Sequence, residues 1–174
     1  MDRESSALVL VDFQSRLMPV IAEGAVLLAN ARRLLAAAEI LGVPAVLTEQ
    51  NAPGLGGTVP ELAGERDLPV VHKMTFDACR TADAAKLPDR PSCIIAGTEA
   101  HVCVLQTVLG LLDAGRRVYV VADAVGSRRP ESKAVALQRM AQHGAEIVTT
   151  EMVLFEWVAT ARDPRFREVL AMIK

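Results

Sequence analysis

Aromatic side chains are scarce: four Phe, one Trp and one Tyr make up 3% of 174 residues. Without them the chain lacks the faces on which nucleic-acid bases stack. A basic block is missing as well, since 19 Lys and Arg stand against 21 Asp and Glu for a net charge of -2. Neither nucleic acid nor an anionic membrane surface is therefore expected as a partner. Long apolar runs are absent from the N-terminal stretch MDRESSALVLVDF, which starts acidic and breaks at Asp12. It fits neither a secretory signal nor a spanning helix, so the expected location is cytoplasmic.

The other shortages concern cofactors. Three cysteines, Cys79, Cys93 and Cys103, form no CxxC and cannot all pair, which argues against a disulfide framework or a zinc ribbon. His72, His101 and His143 show no ligand spacing with one another or with a carboxylate, so no metal or other cofactor is expected. Gly54, Gly56 and Gly57 lack the Lys-Ser/Thr of a phosphate-binding loop.

What is present is apolar and alternating. Half the residues (51%) are hydrophobic, enough for the core of one domain spanning 1–174. Short β-rich runs alternate with helical periods, which predicts an α/β fold built on one doubly wound parallel sheet. Expected strands are 7–11, 43–48, 69–72, 92–96, 117–122 and 145–149. Helices are expected over 21–41, from about 100 to 112, over 130–143, and in the tail at 152–160 and 164–173, where Phe155, Val158, Phe166 and Leu170 should cover the sheet or a partner. Residues 49–67, rich in Gly and Pro, are too long for a simple connection and point to a functional loop or a subunit contact.

The stretch from Ile94 to Leu112, IIAGTEAHVCVLQTVLGLL, organises the rest. An apolar strand breaks at Gly97, and a helical period resumes with Cys103 in its first turn. Amides there point outward unpaired, which favours a thiolate and can hold an oxyanion. Asp12 ends the first strand and Lys73 the third. In open parallel sheets that edge binds ligands where strand order reverses. With the order 3-2-1-4-5-6, Asp12 stands beside Cys103, and Lys73 reaches inward. Such a trio lets a thiol attack a carbonyl while a carboxylate moves the proton. Each member also has a plainer reading: a core thiol, a capping carboxylate, a solvated lysine. None of the three histidines is placed to pair with Cys103: His72 should face away from Lys73, His143 ends a distant helix, and His101 lies about 200° around the helix.

Three motifs, VDFQ at Asp12, VVHKMTFDAC at Lys73 and AGTEAHVCVLQT at Cys103, together make the chain from Ala7 to about Ser127 resemble the isochorismatase-like cysteine hydrolases. The segment TEQNAPGLGGTVPEL and the compact length look most like the short isochorismatase domain-containing hydrolases. That resemblance implies a three-layer α/β/α fold with six strands in the order 3-2-1-4-5-6, and an Asp12, Lys73, Cys103 triad. It also implies a cis peptide between Thr98 and Glu99, oxyanion donors at the N–H of Glu99 and Cys103, and a homo-oligomer. The Asp-x-His metal motif of nicotinamidases has no counterpart after the second strand, where Thr48, Glu49, Gln50 and Asn51 stand. The retained thiol favours attack on a carbonyl or imidate carbon over isochorismatase vinyl-ether chemistry. The expected activity is hydrolysis of a small-molecule amide or related C–N substrate, with Gln50, Leu55 and Phe76 as pocket candidates. The alternatives are nicotinamidase- or isochorismatase-type activity on a specific metabolite, a catalytically silent binding or scaffold protein of the same fold, and a redox sensor pairing Cys79 with Cys103.

Overall fold

The computed structural model describes residues 1–64 and 67–173. Six strands run β1 (Ser6–Val11), β2 (Ala45–Gln50), β3 (Val70–Lys73), β4 (Ser92–Thr98), β5 (Arg117–Gly126) and β6 (Glu146–Val148). All neighbours pair in parallel, in the order β3-β2-β1-β4-β5-β6. Parallel strands covered on both faces must be apolar throughout, and every residue of β1 and β4 is buried.

Alternation along the strands sorts the core into two layers. Leu8, Leu10, Leu47, Ile94, Tyr119 and Val121 pack on one side with helices α1 (Gly24–Leu41), α6 (Thr150–Val158) and α7 (Phe166–Ala171). Val9, Val11, Val46, Ile95, Val118 and Val120 face the other, under α4 (Leu105–Asp113) and α5 (Pro130–Gln142). Helix α1 stops where Gly42, at φ 73°, returns its N–H to Ala38 and Glu39.

Several expectations are corrected. Strand β5 runs four residues past Ala122, because two steps along β4 (Ile95 to Gly97) match five along β5 (Val120 to Val125). Asp123 therefore lies within the strand, and its Oδ1 accepts from the N–H and hydroxyl of Thr150 at 2.8 and 3.0 Å. In the tail the buried face of α6 is Val153, Leu154, Trp157 and Val158, while Phe155 is exposed.

The 49–67 stretch, of which residues 65 and 66 lie outside the described residues, contains two single-turn helices, α2 (Ala52–Leu55) and α3 (Pro60–Ala63). It is tied to its own strand: Glu49 Oε1 accepts from Thr58 N at 2.7 Å and Thr58 Oγ1 at 2.9 Å, and Gln14 bridges Thr58. The outer edge of β3 is covered as well. His72 N donates to Asp83, Thr81 donates to His72 O, and Lys86 to Val70 O, so groups that would recruit another strand are taken.

Candidate active site

The C-terminal ends of β1, β2, β3 and β4 converge on one buried polar cluster. Asp12 follows β1 at φ 53°, a left-handed conformation that a non-glycine residue holds at a cost of about 1–3 kcal/mol when its surroundings enforce it. The enforcing bonds are visible. Asp12 N donates to Thr48 O at 3.2 Å, Gln14 N donates to Asp12 O at 2.8 Å, and Thr98 Oγ1 donates to that same carbonyl at 2.6 Å.

The side chains are held as tightly. Lys73 Nζ lies 2.7 Å from Asp12 Oδ2, and both side chains are fully buried. Thr48 donates to Asp12 Oδ1 at 2.5 Å. Lys73 also donates to Gln50 Oε1 at 3.1 Å, and Gln50 Nε2 is pinned by Met74 O at 2.8 Å. Gln14 completes the frame through Gln50 N and Gln50 O. Alternation along β3 explains why Lys73 points in: His72, its neighbour, is exposed on the other face, 3.5 Å from Glu49.

Cys103 lies opposite this pair. The segment Ala100–Val104 is a π-helical turn that runs on into α4, a local form common at functional sites. Gly97 allows the close approach: a Cβ there would lie 2.6 Å from both the Val11 side chain and its carbonyl. The turn is entered through Glu99 at φ 54°, ψ 60°, again left-handed. No cis peptide occurs among the described residues, so the Thr98–Glu99 bond is trans, and the left-handed Glu99 turns the chain.

The thiol behaves differently from the expectation for a helix N-terminus. Cys103 is buried, and burial first, then the Asp12 carboxylate, push its pKa up, with Lys73 opposing in part. Asp12 and Lys73 thus both act on the charge of the thiol, the first opposing its ionisation and the second favouring it. Proton transfer from sulfur to that carboxylate is the chemistry such an arrangement suits.

The remaining candidates separate. Gln50 holds Lys73. Leu55 is half-buried on α2, and Phe76 is 47% exposed. A cleft of about 480 Å³ opens beside Lys73, with Asn51, Pro53, Met74 and Thr75 in its walls. Thr48 was missed by sequence reasoning; its signal is a pair of polar residues, Thr48 and Gln50, two apart on one face of β2. All three cysteines are free thiols, and burial followed by the Asp77 charge pushes Cys79 up to about 12.

Comparison with known proteins identifies the family and the fold. The isochorismatase domain profile matches residues 6–152. The chain is 41% identical over 173 residues to isochorismatase domain-containing protein 2 of Homo sapiens, spanning 98% of this chain and 83% of that protein. The structure of MAR1 ribonuclease from Caenorhabditis elegans superposes with a TM-score of 0.94 at 36% identity, covering 99% of this chain and 91% of that one. The YcaC gene product of Escherichia coli, described as an octameric hydrolase of unknown specificity, superposes with a TM-score of 0.86 at 28% identity, covering 99% and 86%.

Proposed function

The chain belongs to the isochorismatase family of hydrolases, and from that membership we propose that it hydrolyses a small amide or related C–N compound through a thioester at Cys103. The observation that carries this reading is the fully buried Asp12–Lys73 pair, both members of which act on the charge of the Cys103 thiol. As Cys103 Sγ attacks the substrate carbon, its proton passes to Asp12. The oxyanion is received by the N–H groups of Glu99 and Cys103. The C–N bond then breaks, and Asp12 returns the proton to the leaving amine. Water, deprotonated by Asp12, attacks the thioester, releases the acid and restores the thiol. Lys73 keeps Asp12 oriented and offsets its charge throughout, so the step calls for no metal.

The second reading is ribonuclease activity, favoured by the likeness to the Caenorhabditis elegans protein over nearly the whole chain. Against it stand the net charge of -2 and the aromatic content of 3%, which offer little to a polyanion or to stacked bases. A homo-oligomer is proposed from the octameric Escherichia coli relative and is measured by light scattering; a monomer at micromolar concentration contradicts it.

The test is a turnover screen of small amides and of single-stranded RNA with the wild type and Cys103→Ala, after exhaustive chelation. Amide hydrolysis that survives chelation and disappears in the variant supports the first reading. RNA cleavage that survives in Cys103→Ala would replace it. Activity restored only by Zn²⁺ would contradict the metal-free chemistry. Uniform silence despite a reactive thiol would favour a binding protein of the same fold.

A further inference from the structure

The ends of β4 and β5 hold a polar cluster that the proposed chemistry leaves without a task. The Glu99 side chain is only 8% exposed, and its Oε1 accepts from Arg128 Nε at 3.0 Å. Among the described residues its buried Oε2 has no hydrogen-bond partner, and it lies 3.6 Å from His101 Nδ1. His101 Nδ1 in turn shares a 3.0 Å hydrogen bond with the hydroxyl of Ser127, a buried residue whose carbonyl accepts from Ala22 N at 3.1 Å. Arg128, 61% exposed, is thus the hydrogen-bond donor recorded for a desolvated carboxylate.

That carboxylate belongs to the residue whose backbone is strained. A non-glycine residue at φ 54° returns to ordinary dihedrals unless its surroundings hold it. On the preceding side the grip is clear: Thr98 is bonded to Asp12 O and paired in register with Gly126. On Glu99 itself two bonds act: its carbonyl accepts from Val102 N at 2.8 Å, and its side chain accepts from Arg128 at 3.0 Å. Releasing the side chain removes the second of these and loosens the Glu99 backbone, its N–H included.

We propose that Arg128 is a positioning residue: through the Glu99 carboxylate it holds the Glu99 peptide so that its N–H faces the oxyanion formed at Cys103. This rests on the thioester reading above. Arg128 touches neither the thiol nor the substrate carbon in this role. Its effect should therefore be confined to reactions that develop an oxyanion.

Two probes separate such reactions at the same sulfur. 4-Nitrophenyl acetate acetylates a thiol through a tetrahedral oxyanion, whereas iodoacetamide alkylates it by direct displacement without one. In the full-length protein, Arg128→Gln should slow acetylation of Cys103 at least about tenfold, part of the 10²–10³-fold that losing a whole oxyanion donor costs. Alkylation of Cys103 should be unchanged. Arg128→Lys should recover part of the acetylation rate. Glu99→Gln, which keeps the backbone and removes the charge, should show the same selective loss, and the double variant should be no slower than either single one. Equal loss in both reactions, or acetylation at the wild-type rate in both single variants, overturns the proposal. Acetyl groups absent from Cys103 in the wild type would instead mean that the thioester reading itself fails.

Discussion

The two flanks of the candidate site are held in unlike ways. On the β1–β2–β3 side, both carboxylate oxygens of Asp12 are bonded, the ammonium of Lys73 has two partners, and Gln50 is fixed by Met74 and Gln14. On the β4–β5 side, the thiol is buried, Glu99 Oε2 has no hydrogen-bond partner among the described residues, and the turn is held by Val102 N on the Glu99 carbonyl and by an arginine that is 61% exposed. A saturated network fixes a proton acceptor in one geometry. The proposed acyl transfer uses both: a rigid acid–base side, and a lightly held turn on the side of the nucleophile.

The comparison breaks most visibly in turnover. Asp12→Asn should lower amide turnover by ~10²–10⁴-fold, because both proton transfers pass through that carboxylate. Alkylation of Cys103 should persist or quicken in the same variant, since the Asp12 charge is among the causes that raise the thiol's pKa. Full hydrolysis in Asp12→Asn would remove the carboxylate from the chemistry.

Stability sharpens the contrast next. Lys73→Met strands a fully buried carboxylate and should cost about 3–5 kcal/mol in urea unfolding, with Asp12→Leu/Lys73→Met recovering much of it. Thr48→Val removes one donor from Asp12 and should cost about 1–3 kcal/mol. If Lys73→Met unfolds at the wild-type midpoint, the pair does not organise this flank.

The smallest effects are in pH. Burial raises the Cys103 thiol, so its alkylation should be slow at neutral pH and still climb above about pH 9, where an unperturbed thiol is already mostly ionised. A plateau near neutrality would mean a preformed thiolate. Cys79 is raised as well, to about 12. A raised acid contributes stability that is complete below the unfolded thiol value of about 8.5 and is lost as pH rises toward the folded value. Cys79→Ser should flatten the alkaline fall in melting temperature, and an unaltered slope would count against that burial.

The parallel sheet and the opposite facing of His72 and Lys73 were legible from alternation, whereas the strand order came from the family resemblance. Placing Asp12 and Lys73 at strand ends, and Cys103 in the turn beyond another, brought the three to one edge only once that order was assumed. Thr48 was not legible in isolation, since threonine is an ordinary strand former. Gln50 was read as a pocket residue, but its amide is used to hold Lys73, a role that depends on cross-strand register. The direction of the Cys103 shift was misjudged because helix position was weighed without burial, which is the larger cause here. The extension of β5 arose from a bulge that no residue type announces.

The claim that joins both flanks is that Asp12 takes the proton as Cys103 forms an acyl thioester. Rapid quenching of the reaction with a small amide that the wild type turns over, followed by peptide mass mapping, tests it directly, because a leaving amine needs the proton that Asp12 carries. The acyl group should appear on Cys103 in the wild type and arrive far more slowly in Asp12→Asn, while Cys79 and Cys93 stay unmodified. Acylation first at Cys79 or Cys93, or at the same rate on Cys103 in Asp12→Asn, would contradict it.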